Sequence, residues 1–495
     1  MTLNTICWSF LFVGAFASIA PAQTAPSFQL GQNELRARLA VEPDKSEARN
    51  LILMIGDGNG VNSVTATRIF AGQEQGLPGE EFQLSYDKMP HLALLKTYNT
   101  DAQVPDSAGT ITAMLTGQKT RAGVIGVGAG LERGNCAAVA EHRLPSLFDQ
   151  ARDQGWARGV VTTTRVTHAT PAGAFAASAD RDYESDARMP AECTEQKDIA
   201  AQLPEARMDF VAGGGFTQFL TGSDTIAPNV RGERKDGRNL LDEARQSGTQ
   251  VAVSAAEFSR LPLDGKKPVL GLLASGHLAF EADRKDEPSL AEMTTAAIRH
   301  LEATGKRWIL LVEAGRIDHG HHATNPRRAL KDGVAFADAV AAAEHAAGND
   351  TLIIVTADHS HTLTIQGYPR RGSPITGLCE KMGGIDGEPC LDAKGTAYPT
   401  LSYANGHRTP SSGKRTSPDP LKAASKDFLI ETLIPQPFET HGGADVAAYA
   451  RGPGAWLVSG TMEQNTLYHV MAHATGLVRF GPETIASGSD PAVKP

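Results

Sequence analysis

The sequence lacks the excess of positive over negative residues that is typical of nucleic-acid-binding proteins. Its 495 residues contain 47 lysines and arginines against 56 aspartates and glutamates, a formal net charge of −9. This balance argues against binding to nucleic acid or to an anionic membrane surface. Ordinary solubility is the simplest reason for the charge. An acidic protein can still attract anions locally, because bound metal cations reverse the field in a cleft.

Long apolar runs are also missing after the N-terminus. The run over residues 6–20 is too short for a comfortable membrane span and is followed by Ala20-Pro21-Ala22, a small-x-small pattern. We interpret residues 1–22 as a signal peptide, although this segment contains no Lys or Arg; a buried N-terminal strand is the alternative. Residues 489–495 offer no hydrophobic tail for a lipid anchor. We therefore expect residues 23–495 to form a periplasmic or secreted protein without a membrane anchor.

Cysteine is scarce, and CxxC pairs are absent. Of the five cysteines, Cys7 would leave with the signal peptide, and Cys136, Cys193, Cys379 and Cys390 remain. A zinc site made of cysteines alone is disfavoured because it usually needs CxxC spacing. Four cysteines allow three pairings. Because Cys379 and Cys390 enclose a short loop, we predict disulfide bonds Cys379–Cys390 and Cys136–Cys193, which also suits an exported protein.

What the sequence does contain is a series of short apolar runs separated by helical patterns. The runs are residues 51–55, 159–163, 208–212, 268–273, 308–312 and 352–356. Runs without polar alternation indicate strands buried on both faces of a parallel sheet. Helical periodicity is present in segments such as 146–154 and 326–347. The pattern predicts an α/β fold with a large, mostly parallel sheet flanked by helices. Residues 366–438, rich in Gly, Pro, Ser and Thr, are predicted to form an inserted, loop-rich subdomain.

Polar side chains follow four of these runs. In open α/β sheets, ligands bind beyond the carboxyl ends of the strands. A single such residue is usually a turn or capping residue, but several strands ending this way predict a common binding site. The residues concerned are Asp57, His168, Thr170, Glu313, Asp318, His319, His322, Asp358, His359 and His361.

The segment from Glu313 to His322 has the composition of a metal site. Asp318 and His322 are four positions apart, so they would share one face of a helix. Interleaved carboxylates and imidazoles favour zinc over the alternatives, a solvated loop or a pH-sensing surface. The adjacent pair Asp358-His359 is a weaker signal, because a structural Asp–His hydrogen bond explains it equally well.

Ser107 is the candidate nucleophile. Proline at position 105 and a helical run over residues 111–115 place Ser107 at or near a helix N-terminus, where backbone N–H groups and the helix dipole favour phosphate. The commoner meaning of Asp106-Ser107 is a helix N-cap. Since no Gly-x-Ser-x-Gly elbow surrounds this serine, a metal would have to activate it in place of a histidine base.

Seven ordered segments together resemble the alkaline phosphatase family, and the animal enzymes more than the enteric bacterial one. They lie within a resemblance that spans about residues 50–477: 50–58, 105–107, 161–173, 180–183, 312–322, 356–361 and 439–443. The resemblance implies hydrolysis of small-molecule phosphate monoesters through a phosphoseryl intermediate on Ser107, with two zinc ions and one magnesium. The implied metal ligands are Asp318, His322 and His441 for one zinc, Asp57, Asp358 and His359 for the other, and Asp57, Thr170 and Glu313 for magnesium.

The same resemblance implies roles for the remaining site residues. Arg181 would bind two phosphate oxygens, with Asp106 orienting its guanidinium. His168, His319 and His361 would tune charge from behind the ligands. Region 366–438 would match the family's crown subdomain, which implies a homodimer. At position 274 an alanine stands where animal relatives carry a calcium ligand, so that calcium is not expected.

Three rival functions remain to be weighed. A sulfatase of the same superfamily needs a C/S-x-P-x-R motif, which this sequence lacks. Related phosphodiesterases share the two-metal site but generally lack the magnesium ligands and the phosphate-binding arginine. A non-catalytic metal- or phosphate-binding protein would have no reason to keep Ser107 and Arg181 together with the zinc ligands. The phosphatase hypothesis is therefore favoured.

Overall fold

The computed structural model describes residues 26–227, 230–385, 387–410 and 414–478. The predicted signal peptide, residues 1–22, lies outside the described residues. The chain divides into two compact units, residues 1–42 and 43–495. The first unit contains one described helix, Pro26–Leu39. Within the described ranges, no helix combines the length and the apolar character needed to cross a bilayer.

The second unit is built on strands that form one large and three small sheets. In chain order the strands are Asn50–Gly56 (β1), His91–Lys96 (β2), Ala157–Arg165 (β3), Phe210–Gly214 (β4), Thr225–Ala227 (β5), Val230–Arg231 (β6), Gln250–Ala252 (β7), Val269–Leu272 (β8), Trp308–Ala314 (β9), Thr351–Ala357 (β10), Ser360–His361 (β11), Leu363–Ile365 (β12), Leu401–Gly406 (β13), Thr432–Pro435 (β14), His441–Gly442 (β15), Val446–Arg451 (β16) and Gly460–Glu463 (β17).

The large sheet has ten strands in the order β17-β2-β16-β10-β1-β9-β3-β4-β8-β7. All six apolar runs that predict strands are strands of this sheet. The run of parallel pairs is broken on one side, where β16 lies antiparallel between β10 and β2. The sequence analysis missed β2 because its residues alternate between buried and exposed positions near the sheet edge. The sheet is therefore mixed, although most of its pairs are parallel.

Helices of the second unit cover both faces of the sheet. In chain order the described α-helices, of which α1 belongs to the first unit, are α1 Pro26–Leu39, α2 Val61–Glu74, α3 Ser107–Thr116, α4 Val139–His142, α5 Leu147–Asp153, α6 Ala169–Ala172, α7 Ile199–Ala206, α8 Leu240–Gln246, α9 Ala255–Phe258, α10 Leu290–Ala303, α11 Arg316–His322, α12 Pro326–Ala346, α13 Pro420–Ala423 and α14 Thr466–Ala474. The predicted helical segments 146–154 and 326–347 correspond to α5 and α12.

Burial on both faces explains the continuous apolar runs. In β1, Leu51 and Leu53 belong to one buried cluster, whereas Ile52 and Met54 belong to another. Neither face of the strand meets water, so neither selects polar residues. The hydrophobic pattern of β1 is thus a direct consequence of two helical layers packed on one sheet.

The described part of region 366–438 contains β13 and β14, which form a three-stranded sheet with β12. The assignment of this region as an inserted crown-like subdomain stays a prediction. Both predicted cysteine pairs lie at distances compatible with disulfide bonds. The Cα–Cα distance is 5.5 Å for Cys136–Cys193 and 5.3 Å for Cys379–Cys390.

Candidate active site

Parallel pairing brings the polar strand ends to one edge of the sheet. In β1, Gly56 pairs with Ala314 of β9 and with Ala357 of β10. The residues that follow these three strands therefore emerge side by side. Asp57, Glu313 and Asp358 all have 0% exposure at this edge. The interpretation that these strand ends share one site is consistent with this geometry.

The first candidate metal group consists of Asp318, His322, His361 and His441, whose ligand atoms all lie within 4.8 Å of one another. Three imidazoles converge on Oδ1 of Asp318: its distance is 2.8 Å to Nε2 of His361, 3.2 Å to Nε2 of His322 and 3.4 Å to Nε2 of His441. Asp318 and His322 share a face of α11, as their spacing predicts. His361 is the fourth member of this group, and its expected position behind the ligands stays a prediction.

The second group consists of Asp57, Asp318 and His359, whose ligand atoms lie within 4.8 Å of one another. Asp358 also contacts this histidine. Nε2 of His359 lies 3.3 Å from Oδ1 of Asp57 and 3.3 Å from Oδ2 of Asp358. Oδ1 of Asp358 accepts hydrogen bonds from the backbone N–H groups of Gly58 and His359, both at 2.9 Å. These bonds hold the carboxylate so that Oδ2 faces the cluster, which is the orientation a metal ligand needs.

The third group joins Asp57 to Glu313 and His168 within 4.8 Å. Glu313 is the second-last residue of β9, and its Oε2 accepts hydrogen bonds from the hydroxyls of Thr162 and Thr164 on the neighbouring strand β3. Thr170 belongs to the short helix α6, which begins just after His168. Oxygen atoms dominate this group, as magnesium prefers.

Six ligand-type atoms of these groups are buried and have no hydrogen-bond partner among the residues that the structure describes. They are both carboxylate oxygens of Asp57, Oε1 of Glu313, Oδ2 of Asp358, Oγ1 of Thr170 and Nδ1 of His168. Buried polar atoms are normally satisfied, so a cluster of orphans at one place indicates a missing partner. Bound cations would satisfy all six atoms, and the residues present therefore fit a set of metal ions.

The electrostatics agree with this conclusion. Burial raises the pKa of Asp57 well above its ordinary range, and the charge of Asp358 raises it further. Burial also raises the pKa of Glu313 to about 7, against the opposing hydrogen bonds from Thr162 and Thr164. Asp318 is different: burial would raise its pKa, but the charge of His322 together with hydrogen bonds from His322, His361 and His441 outweighs burial and holds the pKa well below its ordinary value. Cations among these carboxylates would favour their ionised forms.

Ser107 is the first residue of α3. The helix N-cap is Asp106, whose Oδ1 accepts a 3.0 Å hydrogen bond from the N–H of Gly109. The capping role suggested by the sequence therefore belongs to Asp106 and leaves the hydroxyl of Ser107 for another partner. Its Oγ lies 3.2 Å from Nε2 of His359, at the second metal group.

Arg181 lies next to the same helix start. Its Nη1 donates to Oδ2 of Asp106 at 3.1 Å, and its Nη2 lies 3.3 Å from Nε2 of His168. Asp106 thus contacts both the helix start and the guanidinium, with one oxygen for each. Burial raises the pKa of Asp106, but the charge of Arg181 and further hydrogen bonds outweigh it and lower the pKa overall. The ion pair holds a cationic fork beside Ser107, where it can bind an anion.

Some residues at the site were not assigned from the sequence. Glu439 accepts a hydrogen bond from Nδ1 of His361 at 2.6 Å. In the segment 439–443, the sequence had pointed only to His441 as a site residue. Thr162 and Thr164 hold Glu313. His277 packs against His319 with ring centroids 4.3 Å apart. His277 follows the predicted strand 268–273, so it could have been identified as one more polar residue at the end of a strand.

Comparisons with known proteins agree with this geometry. A sequence model of the family described as alkaline phosphatase matches residues 48–477. The tissue-nonspecific alkaline phosphatase of Gallus gallus is 42% identical over 465 residues, covering 90% of this chain and 88% of that protein. The human tissue-nonspecific isozyme is 40% identical over 470 residues, covering 91% and 88%. The chain belongs to the alkaline phosphatase family.

Solved structures of alkaline phosphatases share the fold. The enzyme from the Antarctic bacterium TAB5 superposes with a TM-score of 0.63 at 23% identity, covering 88% of this chain and all of that one. A variant of that enzyme, with a TM-score of 0.62, has magnesium bound in its M3 site. As a member of this family with animal-type relatives, the chain is a phosphoric monoester hydrolase that uses metal cofactors.

Proposed function

We propose that this chain is an exported alkaline phosphatase that hydrolyses small-molecule phosphate monoesters through a phosphoseryl intermediate on Ser107, with two zinc ions and one magnesium. The observation that carries the proposal is the position of Ser107 at the start of α3, where its Oγ lies 3.2 Å from Nε2 of His359 and the preceding residue, Asp106, pairs with Arg181.

The ligands divide by chemistry. Asp318, His322 and His441 would hold one zinc, and Asp57, Asp358 and His359 the other, because imidazole and carboxylate suit zinc. Asp57, Thr170 and Glu313 offer only oxygen and would hold magnesium. When bound, these ions supply positive charge beside the entering and leaving oxygens of phosphoryl transfer.

The chain's own residues then perform two displacements. Oγ of Ser107 attacks phosphorus as the bond from phosphorus to the alcohol oxygen breaks, and the proton lost from the serine hydroxyl balances the proton that the departing oxygen takes up to leave as the alcohol. Water next attacks the phosphoserine, the Oγ–P bond breaks, and inorganic phosphate and free Ser107 are released. Arg181 binds the non-bridging phosphate oxygens in both steps and is kept in place by Asp106.

His359 is a poor candidate for the base in this reaction. Its Nε2 lies about as close to the carboxylates of Asp57 and Asp358, at 3.3 Å each, as to the hydroxyl of Ser107 at 3.2 Å. An imidazole nitrogen surrounded by three oxygen atoms suits a metal ligand better than a proton acceptor. Burial also lowers the pKa of His359 well below its ordinary value, which favours the neutral ring that binds metal.

Export and homodimerisation belong to the same proposal. The two cysteine pairs suit an oxidising compartment, the periplasm or the medium. Large apolar side chains are exposed in region 366–438, where the resemblance implies a dimer interface: Tyr368, Met382, Ile385, Leu391, Leu421 and Leu433. Light scattering after gel filtration would measure the mass of the protein, and a monomer would rule the dimer out.

The experiment that tests the function is ester hydrolysis at alkaline pH. A chromogenic phosphate monoester would be compared with a diester and a sulfate ester, before and after treatment with a chelator. We expect strong monoesterase activity, lost on chelation and restored by zinc with magnesium. Preference for the diester would indicate a phosphodiesterase. No turnover despite bound zinc would leave only a metal-binding protein.

A further inference from the structure

Glu439 is a buried residue whose carboxylate accepts hydrogen bonds from Thr362 and from His361, a residue of the first metal group. It has 0% exposure. Its Oε1 accepts from the backbone N–H of Thr362 at 2.8 Å and from the hydroxyl of Thr362 at 2.6 Å. Its Oε2 accepts from Nδ1 of His361 at 2.6 Å. Three hydrogen bonds therefore hold the carboxylate in one orientation.

The contact with Glu439 determines where the other nitrogen of His361 points. Nε2 of His361 lies 2.8 Å from Oδ1 of Asp318. Both neighbours of the ring are carboxylate oxygens, which can only accept, so both ring nitrogens donate. The imidazole is thus a fixed bridge between a carboxylate that binds no metal and one that belongs to the first metal group.

The main chain of Glu439 holds a second ring of this group. Its N–H donates to the carbonyl of His322 at 3.0 Å, and its carbonyl oxygen accepts from Nδ1 of His322. These main-chain contacts would survive a substitution of the side chain, so the effect of the carboxylate can be measured separately.

We propose that Glu439 is a positioning residue of the Asp318–His322–His441 zinc site, acting through His361 on the carboxylate of Asp318. By holding His361, Glu439 ties Oδ1 of Asp318 in place and leaves the carboxylate oriented toward the metal. Partners behind metal ligands act this way in general, and their removal costs roughly 10- to 100-fold in metal affinity. This inference rests on the zinc site of the proposed function.

The test measures zinc itself and not only activity. Zinc-loaded wild type and Glu439→Gln would be mixed with a chromogenic zinc chelator, and the release of each equivalent of zinc followed. Glutamine keeps the shape but loses the charge and one acceptor. We expect one equivalent to be bound roughly 10- to 100-fold more weakly in Glu439→Gln, and the other to be affected less.

A double-mutant cycle tests the route through His361. If Glu439 acts through that ring, adding Glu439→Gln to His361→Gln should weaken zinc binding little further. Asp198→Asn is the matched control, because Asp198 is a buried carboxylate (4% exposed) paired with Arg234 and outside the site. It should lower stability without changing zinc release. If Glu439→Gln does not fold, Thr362→Val takes its place, because it removes one hydrogen bond to Glu439. We expect Thr362→Val to weaken zinc binding too, but by a smaller factor.

The outcomes separate two failures. If wild type holds no zinc, the proposed metal site and this inference both fall. If wild type holds two equivalents and Glu439→Gln, or Thr362→Val in its place, releases them like wild type, the inference alone is wrong. Fully additive effects of the two glutamine substitutions would also overturn the route through His361.

Discussion

Oγ of Ser107 lies 3.2 Å from Nε2 of His359, although 252 positions of sequence separate the two residues. The serine begins α3, and the histidine follows β10, the strand adjacent to β1 at the centre of the sheet. Their contact places the hydroxyl at a group of carboxylates and imidazoles that fits a metal ion. The proposed nucleophile and a proposed metal ligand are therefore in direct contact.

Replacing Ser107 with alanine should abolish turnover while leaving metal content unchanged. Loss of a nucleophile costs rate by about 1000-fold or more in hydrolases that form a covalent intermediate. Initial rates on a chromogenic phosphate monoester, together with zinc analysis, measure both effects. Ser146→Ala is the matched control: Ser146 caps α5, so its loss should cost about 1 kcal/mol of stability but no activity. Substantial activity in Ser107→Ala would rule out the phosphoseryl route.

Replacing Arg181 with alanine should weaken phosphate binding in both the ground state and the transition state. Removing one partner of a buried charge pair costs about 2–5 kcal/mol, so kcat/KM should fall roughly 30- to 5000-fold. Asp106→Asn, which keeps Arg181 but loses its charge partner, should show a smaller fall. The exposed pair Arg238–Glu243 provides the control, since Arg238→Ala should leave kcat/KM unchanged. Steady-state kinetics that show no change in Arg181→Ala would contradict the assignment.

Glu313 should make the metal-free protein less stable as the pH rises. Its pKa is raised to about 7 by burial, whereas an unfolded glutamate titrates near ~4.3. Between these two values the folded state binds more protons than the unfolded state, so the free energy of unfolding falls with increasing pH. The loss is complete above the folded pKa and is on the order of 3 kcal/mol.

Urea denaturation of the chelated protein would measure this effect. Glu313→Gln should stabilise the metal-free protein at about pH 8 and change it little near about pH 4. With metals bound, the same substitution should destabilise the protein, because a ligand is lost. An equal difference between wild type and variant at both pH values would show that Glu313 does not carry the pH dependence.

The two cysteine pairs should contribute unequally to stability. Cys136–Cys193 closes a sequence separation of 57, against 11 for Cys379–Cys390. Because a cross-link removes more entropy from the unfolded chain when its loop is longer, the double serine variant of the first pair should lose more stability, by about 1 kcal/mol. Thermal unfolding of both variants checks the order. A larger loss for Cys379–Cys390 would contradict the entropic account.

Much of the fold could be predicted because local physics determines it. The strand at β1 was recognisable since both of its faces are buried, so Leu51 to Ile55 contain no polar residue. By contrast, β2 was missed because Leu92 and Leu94 are exposed near the sheet edge while Ala93 and Leu95 are buried. A half-exposed strand of six residues is a weak signal in a single sequence.

The candidate site was predictable to the level of residue types but not of contacts. That Asp57 and Asp358 would lie at one edge followed from the strand ends. The hydrogen bonds from Thr162 and Thr164 to Glu313 could not be predicted in this way, because they depend on the parallel register that pairs Thr162 with Glu313. Glu439 was likewise indistinguishable from any other acid in a loop until its partner was known.

From the amino-acid pattern alone we identified six buried strands of the large sheet, a helix start at or near Ser107, and the polar side chains that follow four of these strands. These properties arise from burial patterns and capping chemistry within short stretches of chain. Only the three-dimensional structure shows which candidate ligands lie together. His441 joins Asp318 only because β15 pairs antiparallel with β11, which sets His441 opposite His361. Contacts between such distant segments depend on sheet register and on the return path of the chain, neither of which local sequence encodes.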